Sequence, residues 1–338
     1  MLPGDRILAG LARWIGAGGL ASIQLLIGFW VLHTVIAFRR GTWGRKSFLF
    51  GFLLLLLAHM MGAILLSRNT AFESISVALW QPDIPIRTKF SEEQQNRLPK
   101  KIQESLERAK ALSASLLIAP EGMLSANQDL LAPAPVPFLS GGFRWVRGMQ
   151  RSSLLVFDRG ERAFSRAIDK YRLVPIGERV PSFFQFSTKG LSAVGGLEPG
   201  TPSRLLSWSG PSLSAAICYE LSDGYAVATA VKDGAKWILA IANLDPYPLS
   251  LQRQFVSLAQ LRSIENSRDL ISVSNTGPTS LFLSSGEVYP VIPPFTEGIE
   301  LAEVNLNREI TAYTRWKEAP LIGIFLLCLF GIYFLHSW

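Results

Sequence analysis

Three long apolar runs interrupt an otherwise mixed pattern, at about residues 16–38, 48–66 and 321–335. The first two reach the roughly 20 residues that an α-helix needs to cross a hydrocarbon core. The third is shorter and gains length if Pro320 and Trp338 sit at the two interfaces. Between the second and third runs the pattern changes to shorter alternations. Residues 74–80 read as a strand ended by Gln81-Pro82. Residues 92–115 read as an amphipathic helix, with Ile102, Leu106, Ala109 and Leu112 at helical spacing and Pro99 marking a break or a start. A buried strand at 116–119 runs straight into Pro120-Glu121-Gly122, and the proline- and alanine-rich stretch 125–137 reads as a loop. Residues 154–157 and 163–168, joined through Asp158-Arg159-Gly160, form a hairpin that ends at Lys170. Strands are expected at 213–217, 237–242, 270–274 and near 280–283, with helices around 225–231 and 251–267. Alternating strands and helices, plus hairpins, predict a mixed α/β layered sheet without internal repeats.

The stretch 182–211 is long, contains Gly and Ser and has no clear period. Loops of that kind inside a compact domain are usually functional. Its Phe183, Phe184, Phe186 and Trp208 suit either partial core packing or contact with a bilayer surface.

Charge gives the apolar runs a direction. The short stretch 39–46 carries Arg39, Arg40, Arg45 and Lys46, which places it on the cytoplasmic side. The second run then delivers the following residues to the outer side, the periplasm of a Gram-negative cell, and the third returns the chain. A cleaved signal peptide is not expected, because the first run is long and lacks a small-residue cleavage site. The division that follows is 1–66 as two transmembrane helices with a short basic cytoplasmic loop, 67–318 as an outer domain, and 319–338 as a C-terminal transmembrane helix. The whole is a multi-pass inner-membrane protein. The net charge of +7 partly reflects the basic loop; it suits anionic headgroups and does not imply nucleic acid.

Histidine and cysteine usage narrows the chemistry. His33, His59 and His336 all lie in or beside the apolar runs, and residues 67–319 contain none. The two cysteines, Cys218 and Cys328, fall at different levels of the membrane and cannot pair. A metal site in the outer domain is disfavoured, and no cofactor is implied. A nucleophilic Cys218 lacks an imidazole partner and needs a carboxylate and a lysine instead. Glu121 and Lys170 offer these, each placed, like Cys218, at the end of an apolar strand, where side chains converge at one rim of a layered sheet. Glu121 fits the base, and Lys170 the cation that favours the thiolate. Lys170 and backbone N–H groups near Cys218 could also hold an oxyanion. Singly, a strand cysteine is more often inert packing; the conjunction in this order is the signal.

The blocks around these residues resemble the nitrilase (C–N hydrolase) superfamily and, within it, the bacterial apolipoprotein N-acyltransferases. The likeness runs from about Val77 to Ser284. It rests on residues 78–85, Pro120-Glu121, the lysine block from Asp169 to Pro181, Ile217-Cys218-Tyr219-Glu220, the stretch from Arg262 to Arg268, and Ser274-Asn275-Thr276-Gly277. The resemblance implies a four-layer α-β-β-α sandwich flanked by transmembrane helices, with Glu121 as general base, Lys170 as transition-state cation and Cys218 as nucleophile. It implies supporting roles for Glu178 and Glu220, and adds Tyr219 beside the cysteine and Asn243 in a stretch near the site. That stretch, Asn243-Leu244-Asp245-Pro246-Tyr247, departs from the family, which has a tryptophan–phenylalanine pair there. Only two apolar runs precede the outer domain, fewer than in the acyltransferases, and a branch with a reduced membrane part occurs among conjugal-transfer proteins.

The function expected is therefore a membrane-anchored acyltransferase. It would move an acyl chain from a phospholipid donor through a Cys218 thioester to an amine acceptor such as a lipoprotein N-terminus. The alternatives are a periplasmic nitrilase-type amidase, in which water resolves the thioester, and a conjugation or envelope-assembly component that uses the fold as a scaffold.

Overall fold

The computed structural model describes residues 5–41, 44–68, 71–89, 91–175, 177–178 and 196–336. Phe183, Phe184 and Phe186 lie outside the described residues. The chain enters through α1 (Arg6–Ala9) and two long helices, α2 (Ala12–Arg39) and α3 (Gly44–Ser67). Next come β1 (Ala71–Gln81), α4 (Ile86–Lys89), α5 (Glu92–Ala111), β2 (Leu116–Leu124), β3 (Phe138–Val146), β4 (Met149–Phe157) and β5 (Arg166–Asp169). The second half runs β6 (Leu205–Leu206), β7 (Leu213–Ile217), α6 (Gly224–Lys232), β8 (Trp237–Ala242), α7 (Leu249–Asn266), β9 (Leu270–Ser274), β10 (Thr279–Phe282), β11 (Val288–Ile292) and β12 (Gly298–Asn307). Helices α8 (Ala312–Trp316) and α9 (Ala319–His336) close it.

Two six-stranded sheets, β12-β1-β2-β3-β4-β5 and β11-β10-β9-β8-β7-β6, lie face to face. Side chains alternate along a strand, so Val77 and Leu79 of β1 point inward while Ala78 and Trp80 point outward. The inward set meets Ile217, Leu239, Ile271 and Val273 of the second sheet in one core. The outward set of the first sheet packs on Ile102, Leu106 and Ala109 of α5. On the far side, Ala216, Ile238 and Ala240 pack on Val227 and Val231 of α6 and Ala259 of α7. Helix, sheet, sheet and helix give the four layers expected. The central strands β2, β7, β8 and β9 pair in parallel and are buried on both faces, which is why they read as short continuous apolar runs.

Some elements differ from the sequence reading. Pro99 lies inside α5, not at its start. It removes one helical hydrogen bond, and the buried stripe of Leu98, Ile102, Leu106 and Ala109 carries the helix past it. β3 and β12 were not anticipated. Gly141 and Gly142 hide β3, and they are needed where its backbone presses on β2: a Cβ at Gly141 would meet Glu121 Cα. β12 alternates exposed and buried positions at a sheet edge, beside β1. Trp208 packs against the inter-sheet core and donates to the Pro211 carbonyl (3.0 Å), so its role is packing.

α2 and α3 are long and apolar enough to cross a membrane, and α9 is a shorter apolar helix over Ala319–Phe330. The first turns of α2 are built into the domain. Leu8, Leu11, Ala12 and Leu20 form one cluster with Leu65, Leu66, Leu261 and Ile264. Helix α2 breaks at Gly16, whose φ of 62° favours glycine, and a Cβ there would strike the Tyr313 ring. Past the break the helix needs a partner for a bare amide, and Glu265 supplies it: its Oε1 accepts from Ala17 N–H at 2.7 Å. Glu265 Oε2 lies 3.1 Å from Arg262 Nη1, and burial pushes this carboxyl up to about 7 against the pull of Arg262. The guanidinium of Arg13 donates to the carbonyls of Leu65 and Ser284. Within the Arg262–Arg268 block, Ile264 and Glu265 thus serve attachment, while Arg268 braces loops of the domain by donating to the Ala235 and Glu309 carbonyls (2.9 and 2.6 Å).

Gly16→Ala places a side chain at positive φ, which costs about 1–3 kcal/mol, and drives a methyl into Tyr313. The variant is expected to melt at lower temperature in detergent than the wild type, and the loss should be smaller when the same change is made in a Tyr313→Ala background. A thermal scan that shows no difference between Gly16→Ala and wild type would refute the docked break.

Candidate active site

Three strand ends meet at one rim of the sandwich. β2 bulges between Ala119 and Leu124, where its pairing with β3 shifts register, and Glu121 rides on that bulge beside Gly122 at φ 72°. Lys170 directly follows β5. Cys218 directly follows β7 and opens a 3₁₀ turn, Cys218–Ser222. Its φ of 53° is left-handed, a conformation that costs an L-residue about 1–2 kcal/mol. Such strain concentrates at functional positions.

The charges are tightly arranged. Lys170 has no exposed side chain, and its Nζ donates to Glu121 Oε1 at 2.9 Å and to Glu178 Oε1 at 2.6 Å. Each carboxylate is held from behind by the backbone: Asn243 N–H donates to Glu121 Oε2 (3.1 Å) and Val174 N–H to Glu178 Oε2 (2.8 Å). Asn243 is in turn fixed by Asn275, whose Nδ2 donates to its Oδ1 at 3.1 Å. Glu121, Lys170, Glu178 and Cys218 thus come together, with Asn243 acting through its backbone. Tyr219 is 44% exposed and points instead into an apolar pocket.

A second set of ions fixes the segments that carry these groups. Asp169 accepts from Arg144, Arg151 and Ser153, which hold it below the usual carboxylate range despite its burial. Buried Glu220 accepts from Tyr171 N–H at 2.6 Å and Ile217 N–H at 2.9 Å, and pairs with Arg204 at 2.8 Å. Asp223 caps α6 at Ala226 and accepts from the Tyr171 hydroxyl and from Arg172. The sequence reading missed Asp169, Arg204, Asp223 and Asn275. Asp169 and Asn275 stood inside the family blocks without a role. Arg204 sits in the stretch without period and gave no signal.

Burial pushes the Cys218 thiol well up, Glu121 adds to this, and Lys170 opposes it. Burial works against the Lys170 charge, but Glu121, Cys218 and Glu178 together raise it above the ordinary lysine range. The resting pair is therefore an ammonium and a thiol. A protonated thiol must lose its proton during attack. Beside it opens an apolar cavity of about 360 Å³, lined by Val174, Tyr219, Tyr247, Leu251, Phe255 and Leu258. Tyr247 and Phe255, which line the cavity, also pack directly on the cluster of Cys218, Ala242 and Leu244, so the cavity borders the cluster that holds the thiol. Among the described residues no cluster of three or more His, Cys, Asp or Glu could hold a metal ion.

No family model matches the chain. It is 60% identical over 332 residues to an apolipoprotein N-acyltransferase of Prochlorococcus marinus (strain MIT 9313), covering 98% of this chain and 66% of the relative. It is 55% identical to that of a second Prochlorococcus marinus strain, covering 97% and 67%. For that of Parasynechococcus marenigrum (strain WH8102) the identity is 48%, covering 93% and 67%. The chain belongs to the apolipoprotein N-acyltransferase family. It spans about two thirds of the length of these relatives. Its fold is that of the nitrilase superfamily. A Nesterenkonia amidase superposes with a TM-score of 0.53 at 16% identity over 76% of this chain and 98% of that one. A Saccharomyces cerevisiae superfamily member gives 0.52 at 14% identity over 70% and 92%. Family and apolar helices together mark a membrane protein. The amidase and conjugal-transfer readings are not favoured by these relatives.

In a Cys328→Ser background, alkylation of Cys218 is expected to keep rising with pH beyond about 8.5, the value of a free cysteine. Glu121→Gln removes a carboxylate that opposes the thiolate and should move the profile to lower pH. An unshifted or upward-shifted profile would show that Glu121 does not face the thiol.

Proposed function

We propose that this chain is a membrane-anchored cysteine N-acyltransferase of the inner membrane, with residues 67–318 as its periplasmic catalytic domain. Residues 1–66 and 319–338 span the bilayer on either side of it. The reaction is ping-pong on Glu121, Lys170 and Cys218. Cys218 Sγ attacks the carbonyl carbon of a phospholipid acyl ester as Glu121 takes the thiol proton. Lys170 and N–H groups of the 3₁₀ turn steady the tetrahedral oxyanion. The ester C–O bond breaks, Glu121 returns the proton to the leaving glycerol oxygen, and a lysophospholipid departs from the Cys218 thioester. An amine acceptor, such as the α-amino group of a lipoprotein N-terminus, then attacks the thioester. Its proton passes through Glu121 to the leaving thiolate, and an amide is released.

One observation carries this reading: a fully buried ammonium between two carboxylates, electrostatically coupled to a thiol whose cluster borders an apolar cavity. The relatives' acyltransferase names support transfer to an amine over hydrolysis. The cavity supports a lipid donor, because an acyl chain leaving the bilayer needs an apolar place beside the nucleophile.

Intact-mass spectrometry of the chain purified from membranes is expected to show an added fatty acyl mass. The mass should be removed by hydroxylamine and be absent from Cys218→Ala. Cys218 that stays unmodified after incubation with phospholipid would overturn the acyltransferase reading.

A further inference from the structure

We infer that Arg204 is a positioning residue, whose guanidinium ties the segment carrying Lys170 to the segment carrying Cys218. The inference rests on the reaction proposed above. Arg204 lies just ahead of β6 and is 2% exposed. Its Nη2 donates to the Asp169 carbonyl at 2.8 Å, one residue before Lys170, and to the Thr201 carbonyl at 2.6 Å. Its Nη1 donates to Glu220 Oε2 at 2.8 Å. That same Oε2 accepts from Ile217 N–H, one residue before Cys218, and Oε1 accepts from Tyr171 N–H, one residue after Lys170. The guanidinium also stacks over the Tyr171 ring at 4.7 Å, and the Arg204 carbonyl accepts from Ala215 N–H of β7 at 2.8 Å. One planar cation thus holds the backbone before the lysine directly, and through Glu220 the backbone after the lysine and before the cysteine.

The arrangement needs arginine specifically. Carboxylate, carbonyl and ring lie in three directions that a forked, flat guanidinium meets together, whereas a lysine ammonium is a single point. Glu220 has no exposed side chain, and Arg204 is the cation it pairs with among the described residues. The neighbouring acids keep cations of their own: Asp169 has Arg144 and Arg151, and Asp223 has Arg172. Losing Arg204 therefore exposes one acid, Glu220, to an unpaired burial. Lys170 Nζ is fixed at its tip by Glu121 and Glu178, and Arg204 fixes the main chain at its root. Catalytic geometry tolerates about half an ångström of slack, and a 1 Å misplacement costs about 100-fold in rate.

The test uses the full chain in lipid nanodiscs, with Arg204→Lys, Arg204→Met and Arg204→Met/Glu220→Gln. Single-turnover thioester formation from phospholipid is read by intact mass and normalised to folded protein. Arg204→Lys is expected to lose about 10–100-fold in the acylation rate, with the phospholipid concentration at half-saturation little changed. Arg204→Met should add an acid limb to the pH–rate profile as Glu220 titrates, and the double variant should lack that limb. Loss of signal that only tracks loss of folded protein, or wild-type rates and pH profile in Arg204→Lys, overturns the inference. A wild-type chain that forms no thioester defeats the proposed reaction instead. In that case Cys218 alkylation, which needs no lipid, decides on Arg204: a profile unmoved in Arg204→Lys overturns its role.

Discussion

A lysine ammonium taken entirely out of water sets the terms for this structure. Desolvating such a charge costs several kcal/mol, and leaving it unpaired costs about 3–5 kcal/mol. Glu121 and Glu178 meet that demand at 2.9 and 2.6 Å, so the strand bulge under Glu121 and the turn that offers Glu178 must both close on Lys170. The close approach of β3 to β2 at Gly141 follows from the same requirement. Burial first, and then two carboxylates against one ammonium, favour the protonated form of Cys218.

Around that centre, acids and arginines alternate in pairs: Asp169 with Arg144 and Arg151, Glu220 with Arg204, Asp223 with Arg172. Glu220 and Asp223 also hold backbone N–H groups, while Asp169 ties together side chains of β3 and β4. The charged groups thus lie near a cavity lined mostly by apolar side chains, among them Tyr247, Leu251, Phe255 and Leu258. An ester of a long-chain acid has this same division, with a polar carbonyl at one end and hydrocarbon beyond it.

The legible part of the sequence was whatever depends on local pattern. β8 and β9 were read to the residue, because strands buried on both faces are continuous apolar runs bounded by polar turns. Glu121 and Cys218 were found because each follows such a run, and Lys170 because it ends a hairpin. The illegible part depends on distant contacts. β3 hid behind two glycines whose reason is the strand beside them, and β12 is an edge whose pattern becomes clear only against β1. Pro99 looked like a boundary because proline usually is one, yet tertiary burial on one helix face outweighed it. Arg204 shares no local pattern with the residues it holds, which lie 16 positions after it and 35 before.

The join between helix and domain has a consequence for how such proteins diversify. Glu265 completes the first long helix from outside, and Leu261 and Ile264 bury its opening turns. The anchor is therefore an internal part shared with the enzyme and not a tether attached to it. Exchanging it for an unrelated hydrophobic segment leaves an acid without its amide and a greasy face without its cover. A successful graft must bring a helix that pauses at the same depth and presents one bare N–H there, in step with α7.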